Sequence, residues 1–152
     1  MADSGNTETA QGEKTANPIV PHLKLPKAPG DKAYIGGVKC RSCGAAFLGA
    51  RMACGKCFAV DDFEELRFSD HGTLRAFTIV YHTAPKIEVP FIAAIVDLPE
   101  GAAVRCNLGG VEPDGEKVAA LLGKKLEMYT EKVRTDLEGN DVIAFKFRPA
   151  AT

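Results

Sequence analysis

Four cysteines at regular spacing are the strongest chemical signal in this sequence. Cys40-Arg-Ser-Cys43 is followed by Cys54-Gly-Lys-Cys57, so two C-x-x-C pairs stand ten residues apart. Each C-x-x-C turn directs two sulfurs at one point, and a second turn completes a tetrahedron of thiolates. Zn²⁺ favours this closed, soft shell, so the spacing predicts one zinc ion held by all four residues. Because no coordination position remains for water, we expect this zinc to be structural rather than catalytic.

Other uses of paired C-x-x-C motifs make different demands on the protein. Disulfides need an oxidising compartment. A thioredoxin-like redox pair needs a βαβ context, which this sequence lacks. Iron can occupy the same four-sulfur shell, as in rubredoxin-type sites. Iron therefore stays open as the alternative metal, with electron transfer as the corresponding function.

No catalytic constellation accompanies the cysteines. His22, His71 and His82 are scattered, and the sequence contains no G-x-S-x-G, Walker loop or G-x-G-x-x-G. The fifth cysteine, Cys106, lies in an apolar predicted strand with no base at a recognisable spacing. A buried free thiol is the favoured interpretation, because reduced cysteine is among the most buried residue types.

Composition limits the class of protein. The chain has 152 residues, of which 45% are hydrophobic and 26% charged, as is ordinary for a soluble globular protein. Nineteen Lys and Arg oppose twenty Asp and Glu, which gives no support for a nucleic-acid or membrane partner. Residues 1–17 lack the apolar core of a signal peptide, and the longest apolar run, Phe91–Val96, is strand-sized. We expect a cytoplasmic protein with reduced cysteines.

Residues 1–33 are predicted to form an N-terminal arm. Residues 1–17 are small and polar, and we expect them to be disordered. Four prolines within 18–30 forbid a regular helix. The same stretch nevertheless carries apolar residues that a free linker does not need. It is either an extended tether packed on its own domain or an arm that lies on a partner, and the sequence leaves both open. These apolar residues are Ile19, Val20, Leu23 and Leu25.

Strands are the elements that must position the predicted metal site. Residues 34–66 are predicted to form a zinc ribbon, and residues 67–150 a second domain rich in β-branched and aromatic residues. Asp114 can cap a short helix that Gly123 ends. Three strands, a helix and two strands predict a mainly β protein, with an N-terminal rubredoxin-like zinc ribbon followed by a five-stranded OB-fold barrel. The predicted strands are Gly72–His82, Phe91–Leu98, Ala102–Leu108, Lys125–Thr135 and Asn140–Phe147.

The order of these pieces resembles a known family, the zinc-ribbon/OB-fold proteins that accompany acyl-CoA enzymes, notably thiolases. The resemblance runs from about Lys39 to Pro149. Members commonly enter the ribbon through an amphipathic helix rich in aromatics, whereas this chain has the proline-rich segment 18–30. The motifs that carry the resemblance are Cys40-Arg-Ser-Cys43-Gly44, Cys54–Cys57, Gly72-Thr-Leu-Arg-Ala-Phe-Thr-Ile-Val, Pro90-Phe-Ile-Ala-Ala-Ile-Val-Asp-Leu, Asn107-Leu-Gly-Gly and Phe147-Arg-Pro149.

The resemblance implies a non-catalytic subunit of a hetero-oligomer. A thiolase-like partner would supply the nucleophilic cysteine and the acid/base groups. The implied reaction is thiolytic cleavage of a β-keto acyl-CoA, such as benzoylsuccinyl-CoA in anaerobic toluene degradation, or its reverse. CoA or acyl-CoA would be shared with the partner. The apolar strands of an OB face can hold pantetheine, and His82, Lys86 and Arg105 are the expected CoA contacts.

Two further hypotheses stay open beside this one. The catalytic partner could be an acyl-CoA aldolase or hydratase, which the sequence does not separate from a thiolase. Alternatively, the chain could be a nucleic-acid-binding module, because zinc ribbons and OB folds both occur in such proteins. The net charge of −1 and the sparse aromatics on the expected ligand face count against that alternative.

Overall fold

The computed structural model describes residues 15–151. These residues form ten strands and one short helix. In chain order the elements are β1 (Ala16–Pro18), β2 (Leu23–Lys24), β3 (Tyr34–Cys40), β4 (Ala46–Leu48), β5 (Phe63–Arg67), β6 (His71–Val80), β7 (Phe91–Asp97), β8 (Ala103–Leu108), α1 (Gly115–Ala119), β9 (Lys125–Thr135) and β10 (Asp141–Pro149).

Strands β6 to β10 close into a barrel. β6 pairs with β7 and β7 with β8, both antiparallel. β10 then pairs in parallel with β8 and antiparallel with β9, and β9 returns to β6. The helix α1 lies between β8 and β9 in the chain. This arrangement confirms the predicted mainly β class and the five-stranded OB-type barrel with one helix.

The helix is shorter than the predicted 114–123. Asp114 caps it as expected, since its carboxylate accepts a hydrogen bond from the Lys117 N–H at 3.0 Å. After Ala119 the chain tightens, because the N–H groups of Leu121 and Leu122 donate to carbonyls only three residues back. Gly123 then adopts a φ of +74° and leads the chain into β9.

One hydrophobic cluster fills the barrel and reaches beyond it. Phe147, Leu126, Val96 and Val118 are fully buried there. The inward positions of β8 alternate with exposed ones, as the period of a strand requires. The cluster also contains residues from outside the barrel, so a second, smaller sheet packs its base against the same core. These residues are Leu23, Ile35 and Phe68.

The smaller sheet is built around β3. β2 and β4 pair with one edge of β3, and β5 pairs with the other edge. Gly37 is required at the centre of this sheet, because a Cβ there would come within 2.0 Å of the Phe47 carbonyl oxygen. The two predicted cysteine turns extend from the far end of these strands. The proposed division of the chain at 33/34 and 66/67 stays a prediction.

Ala16 and Asn17, at the end of the segment expected to be disordered, lie in a strand. Residues 1–14 lie outside the described part of the chain, but Ala16–Pro18 forms β1, parallel to β10. β8 pairs only with Lys146 and Phe147 of β10, which leaves the start of β10 open for β1. Disorder was wrongly expected here because backbone pairing at a strand edge needs no apolar side chains.

The proline-rich stretch packs on its own chain. Leu23 is 1% exposed and belongs to the core cluster, and Val20 and Leu25 pack against it. These contacts match the tether interpretation, although Ile19 remains 43% exposed. Within residues 15–151 no helix is long and apolar enough to cross a membrane.

Candidate metal centre and barrel groove

The two C-x-x-C turns fold in the same way. In the first turn the Cys40 N–H donates to the Ala45 carbonyl and the Gly44 N–H donates to the Cys40 carbonyl, both at 2.9 Å. In the second turn Cys54, Ala59 and Phe58 repeat this pattern at 2.9 and 3.0 Å. The residue after the second cysteine is left-handed in both turns, with φ of +75° at Gly44 and +64° at Phe58.

These turns bring the four sulfurs together. All four Sγ atoms lie within 4.8 Å of one another. Cys40 Sγ is 3.6 Å from Cys57 Sγ, and Cys43 Sγ is 3.5 Å from Cys54 Sγ. Sulfurs bound about 2.3 Å from one zinc ion stand about 3.8 Å apart in a tetrahedron. All four cysteines are free thiols rather than disulfides, so the cluster can bind a metal such as zinc.

Backbone N–H groups favour a thiolate within this cluster. The N–H groups of Lys56 and Cys57 point at Cys54 Sγ, at 3.4 and 3.5 Å. The Cys57 N–H makes the largest contribution to lowering the pKa of the Cys54 thiol, to about 6. A metal binds the thiolate rather than the thiol, so the Cys54 sulfur is prepared for ligation at neutral pH.

Polar and aromatic contacts support the turns from the side. The Ser42 hydroxyl donates to the Asp62 carboxylate at 2.5 Å, which ties the first turn to the chain leaving the second. Phe47 and Phe63 pack edge to face at 6.5 Å, and the Arg51 guanidinium lies over the Phe47 ring at 4.7 Å. The second turn itself is poorly covered, since Met52 and Phe58 are each 80% exposed.

A shallow groove runs across one face of the barrel. Its volume is about 240 Å³. Arg105 lies beside Ile95, its neighbour on β7, and is the one cation among the residues that line this groove. The other lining residues are Ala76, Phe77, Thr78, Ala93 and Ala94.

The three expected CoA contacts are not clustered. Arg105 is in the groove, whereas His82 and Lys86 lie in the exposed loop between β6 and β7. About 20 Å of extended chain separates His82 from Ala76, which lines the groove with Arg105. Arg105 therefore lies among the residues that line the groove, and His82 and Lys86 do not.

Cys106 is buried, as expected. It faces inward from β8 and is a member of the core cluster. Burial raises the pKa of its thiol to about 12, so it stays protonated at neutral pH. This environment suits a packing residue and does not suit a nucleophile.

A second cleft, on the smaller sheet, was not predicted from the sequence. Lys24, Tyr34 and Arg67 are among the residues that line it. Lys24 and Tyr34 belong to the consecutive strands β2 and β3, whereas Arg67 comes from β5, much later in the chain, so no spacing rule connects all three. The one local signal is the Gly36-Gly37 pair, since glycines inside a strand often mark a close approach of backbone or ligand.

Comparison with known proteins identifies relatives of this architecture. A family model described as the C-terminal OB-fold domain of ChsH2 matches residues 66–131. A DUF35 domain-containing scaffold protein of Methanothermobacter thermautotrophicus is 33% identical over 118 residues, which cover 74% of this chain and 84% of that protein. The benzoylsuccinyl-CoA thiolase subunit BbsA of Geobacter metallireducens is 28% identical, over 85% of this chain and 83% of that subunit.

A solved structure has the same fold. It is titled Ltp2-ChsH2(DUF35) aldolase and superposes with a TM-score of 0.58 at 23% identity, covering 78% of this chain and 86% of that one. This likeness agrees with the ribbon-and-barrel architecture found here. The 33% identity to the scaffold relative, over 74% of this chain and 84% of that protein, shows that the chain belongs to the DUF35 family.

Proposed function

We propose that the chain is a non-catalytic accessory subunit of an acyl-CoA-processing enzyme complex with a thiolase-type catalytic partner. The observation that carries the proposal is its membership of a family whose relatives are named as scaffold proteins and thiolase subunits. The reaction proposed for the complex is thiolytic cleavage of a β-keto acyl-CoA, or its reverse. Benzoylsuccinyl-CoA is the candidate substrate, because it appears in the names of two relatives.

The chemistry of the described residues supports an accessory role. Four cysteines close around one point leave no open coordination position for a substrate. The fifth, Cys106, is buried with a raised thiol pKa. Zinc is the proposed occupant of the four-sulfur site, where it would hold together turns that own almost no apolar core.

CoA contact is proposed along the barrel face. The groove is lined mainly by small and apolar side chains, which suits the pantetheine arm of CoA. Arg105 would meet a polar or charged group at one end, and His82 and Lys86 would reach phosphate at the other end. The distance between them favours an elongated ligand that also contacts the catalytic partner.

Purification from the native host tests the partner. The tagged chain is isolated under gentle conditions, the co-eluting proteins are identified by mass spectrometry, and the fraction is assayed for CoA-dependent cleavage of a β-keto acyl-CoA. We expect a thiolase-like subunit and activity in the same fraction. If an aldolase or hydratase co-elutes instead, the accessory role of the chain stands, and the reaction of the complex is that of the aldolase or hydratase. Elution with nucleic acid, in a form released by salt, would favour the nucleic-acid-binding alternative.

Substitution in the groove tests the CoA contact within the active complex. We expect Arg105→Gln to raise the KM for CoA about tenfold while kcat stays near the parent value, because a charged hydrogen bond to the ligand is lost in both ground and transition states. Arg51→Gln is the matched control, since Arg51 is an exposed arginine that stacks on Phe47 outside the groove. Equal KM values for both variants would remove Arg105 from the proposed contact.

A further inference from the structure

The smaller sheet carries a cleft that the proposed function does not use. Its volume is about 460 Å³, within the range of small-molecule sites. β3 lines the floor of the cleft, and β2 and β5 pair with the two opposite edges of β3. The lining residues are Pro21, Lys24, Tyr34, Gly36, Gly37, Val38, Gly49, Ala50, Glu65, Leu66 and Arg67.

Strand alternation separates this cleft from the core. Leu23, Ile35 and Phe68 point inward and are buried. Their chain neighbours Lys24, Tyr34 and Arg67 therefore point to the opposite, outer face. The backbone register places Lys24 beside Tyr34 on one edge of β3, and Arg67 beside Gly36 on the other.

Gly36 gives the cleft its depth. A Cβ at this position would stand 3.3 Å from both Cγ and Cε of Lys24, so the lysine stem lies directly over the glycine. The backbone here is held along the edge of β3 that β2 and β4 share, because the Gly36 N–H donates to the His22 carbonyl at 2.7 Å and the Gly36 carbonyl accepts from the Gly49 N–H at 3.0 Å. The floor is therefore fixed, and the lysine stem lines the cleft above it.

Two cations converge on this floor. The Arg67 guanidinium lies over the Tyr34 ring at 4.2 Å, and Lys24 Nζ donates to the Pro21 carbonyl at 3.0 Å. Within residues 15–151, neither cation forms an ion pair. Arg67 thus presents N–H donors to any ligand in the cleft. A planar guanidinium and a lysine ammonium together suit a phosphate group.

The opposite end of the cleft has the opposite charge. Glu65 is two residues before Arg67 on the same face of β5, about 7 Å along the strand, and pairs with Val38. A carboxylate repels phosphate but accepts hydrogen bonds from sugar hydroxyls, as acidic residues do for ribose in dinucleotide sites. The cleft is therefore cationic at one end and hydroxyl-accepting at the other.

The geometry points to a binding site for a phosphorylated ribose, and specifically for a nucleotide. The phosphate lies between Lys24 and Arg67, and the ribose hydroxyls face Glu65. The exposed side of the stacked Arg67 guanidinium offers a flat surface for the base. This inference stands apart from the proposed accessory role, because it concerns the smaller sheet and is tested on the chain alone.

Titration of the full-length, metal-loaded chain with AMP tests the site. In ¹H–¹⁵N correlation spectra we expect AMP to shift the amide signals of Gly36, Gly37 and Arg67. Ribose 5-phosphate should shift the same signals, whereas adenosine, which lacks the phosphate, should shift them far less. Rising salt should weaken AMP binding, because the cations are exposed.

Single substitutions distinguish a specific AMP site from nonspecific attraction of AMP to exposed positive charge. We expect Arg67→Gln and Lys24→Met each to weaken AMP binding about tenfold. Gly36→Ala removes no charge but places a methyl group on the floor, and it should also weaken AMP. Glu65→Gln should weaken AMP and ribose 5-phosphate while leaving inorganic phosphate unchanged. Arg51→Gln, which removes the other ribbon arginine stacked on an aromatic ring, should bind AMP like the parent.

Three results would overturn the inference. The first is the absence of AMP-dependent shifts at the cleft in a correctly folded chain. The second is a parent-like affinity in Arg67→Gln and Gly36→Ala. The third is a cleft whose signals respond only when the catalytic partner is added, which would make this face a protein interface instead.

Discussion

The barrel and the cysteine-bearing turns differ in how much apolar surface they bury. The barrel surrounds side chains such as Phe147, Leu126 and Val104, each at most 1% exposed. Between residues 41 and 62, by contrast, Cys54 is the buried residue, while Met52 and Phe58 are largely exposed. The turns therefore lack a core of their own. The comparison teaches that apolar burial supports one region of the chain, whereas the other region has little of it and carries a four-cysteine cluster that could bind a metal.

Metal removal should separate the two regions most strongly. Structural zinc contributes on the order of 10 kcal/mol to the folding of such modules. We expect a chelator to abolish the dispersed amide signals of residues 39–62 and to leave those of β6 to β10 in place. Restored signals on adding Zn²⁺ are the control. Unchanged ribbon signals in verified metal-free protein would show that the turns do not depend on a metal.

Truncation of a core side chain should instead destabilise the barrel. Phe147→Ala removes a fully buried ring that packs edge to face on Phe145, and we expect a loss of about 3–5 kcal/mol in the free energy of unfolding. Urea unfolding followed by far-UV circular dichroism measures the loss. The matched control is Phe58→Ala, which truncates an exposed ring and should cost far less. Similar losses in both variants would contradict the assignment of the core to the barrel.

Single substitutions at equivalent positions of the two cysteine turns should show how a side chain at positive φ affects each turn. Gly44 and Phe58 both have positive φ, where a side chain costs about 1–2 kcal/mol. We therefore expect Gly44→Ala to weaken metal retention in a chelator competition, and Phe58→Gly to strengthen it. A parent-like Gly44→Ala would mean that the first turn tolerates a Cβ in this conformation.

Removal of the helix cap should cause the smallest loss of stability among these variants. Asp114→Ala removes the acceptor for the Lys117 N–H and should cost the barrel about 1 kcal/mol. Thermal unfolding is the measurement, with Asp114→Asn as the variant that keeps a capping oxygen. Metal retention should stay unchanged in both. A destabilisation that Asn does not restore would assign the role to charge instead of capping.

Much of the architecture could be predicted from the sequence, because local patterns decide it. The spacing of Cys40, Cys43, Cys54 and Cys57 predicted the cluster, since a C-x-x-C turn has few geometries. β9 was predicted over the same residues as observed, because turn residues bound it on both sides. Asp114 and Gly123 marked the helix region for the same reason.

The rest depends on contacts between distant segments. β1 could not be predicted, because Ala16-Asn-Pro has no strand pattern and pairs with β10 through its backbone. The cleft could not be predicted either, since only the pairing with β3 places Lys24 and Arg67 on opposite edges of the same strand. The separation of Arg105 from His82 likewise follows from the barrel register and not from composition.

Activity of the chain with and without its partner tests the accessory role most directly. The metal-loaded chain and the co-purified catalytic subunit are assayed separately and after mixing, for thiolysis of a β-keto acyl-CoA. The accessory role predicts no turnover by the chain alone and full turnover in the complex. Turnover by the pure, partner-free chain would contradict it.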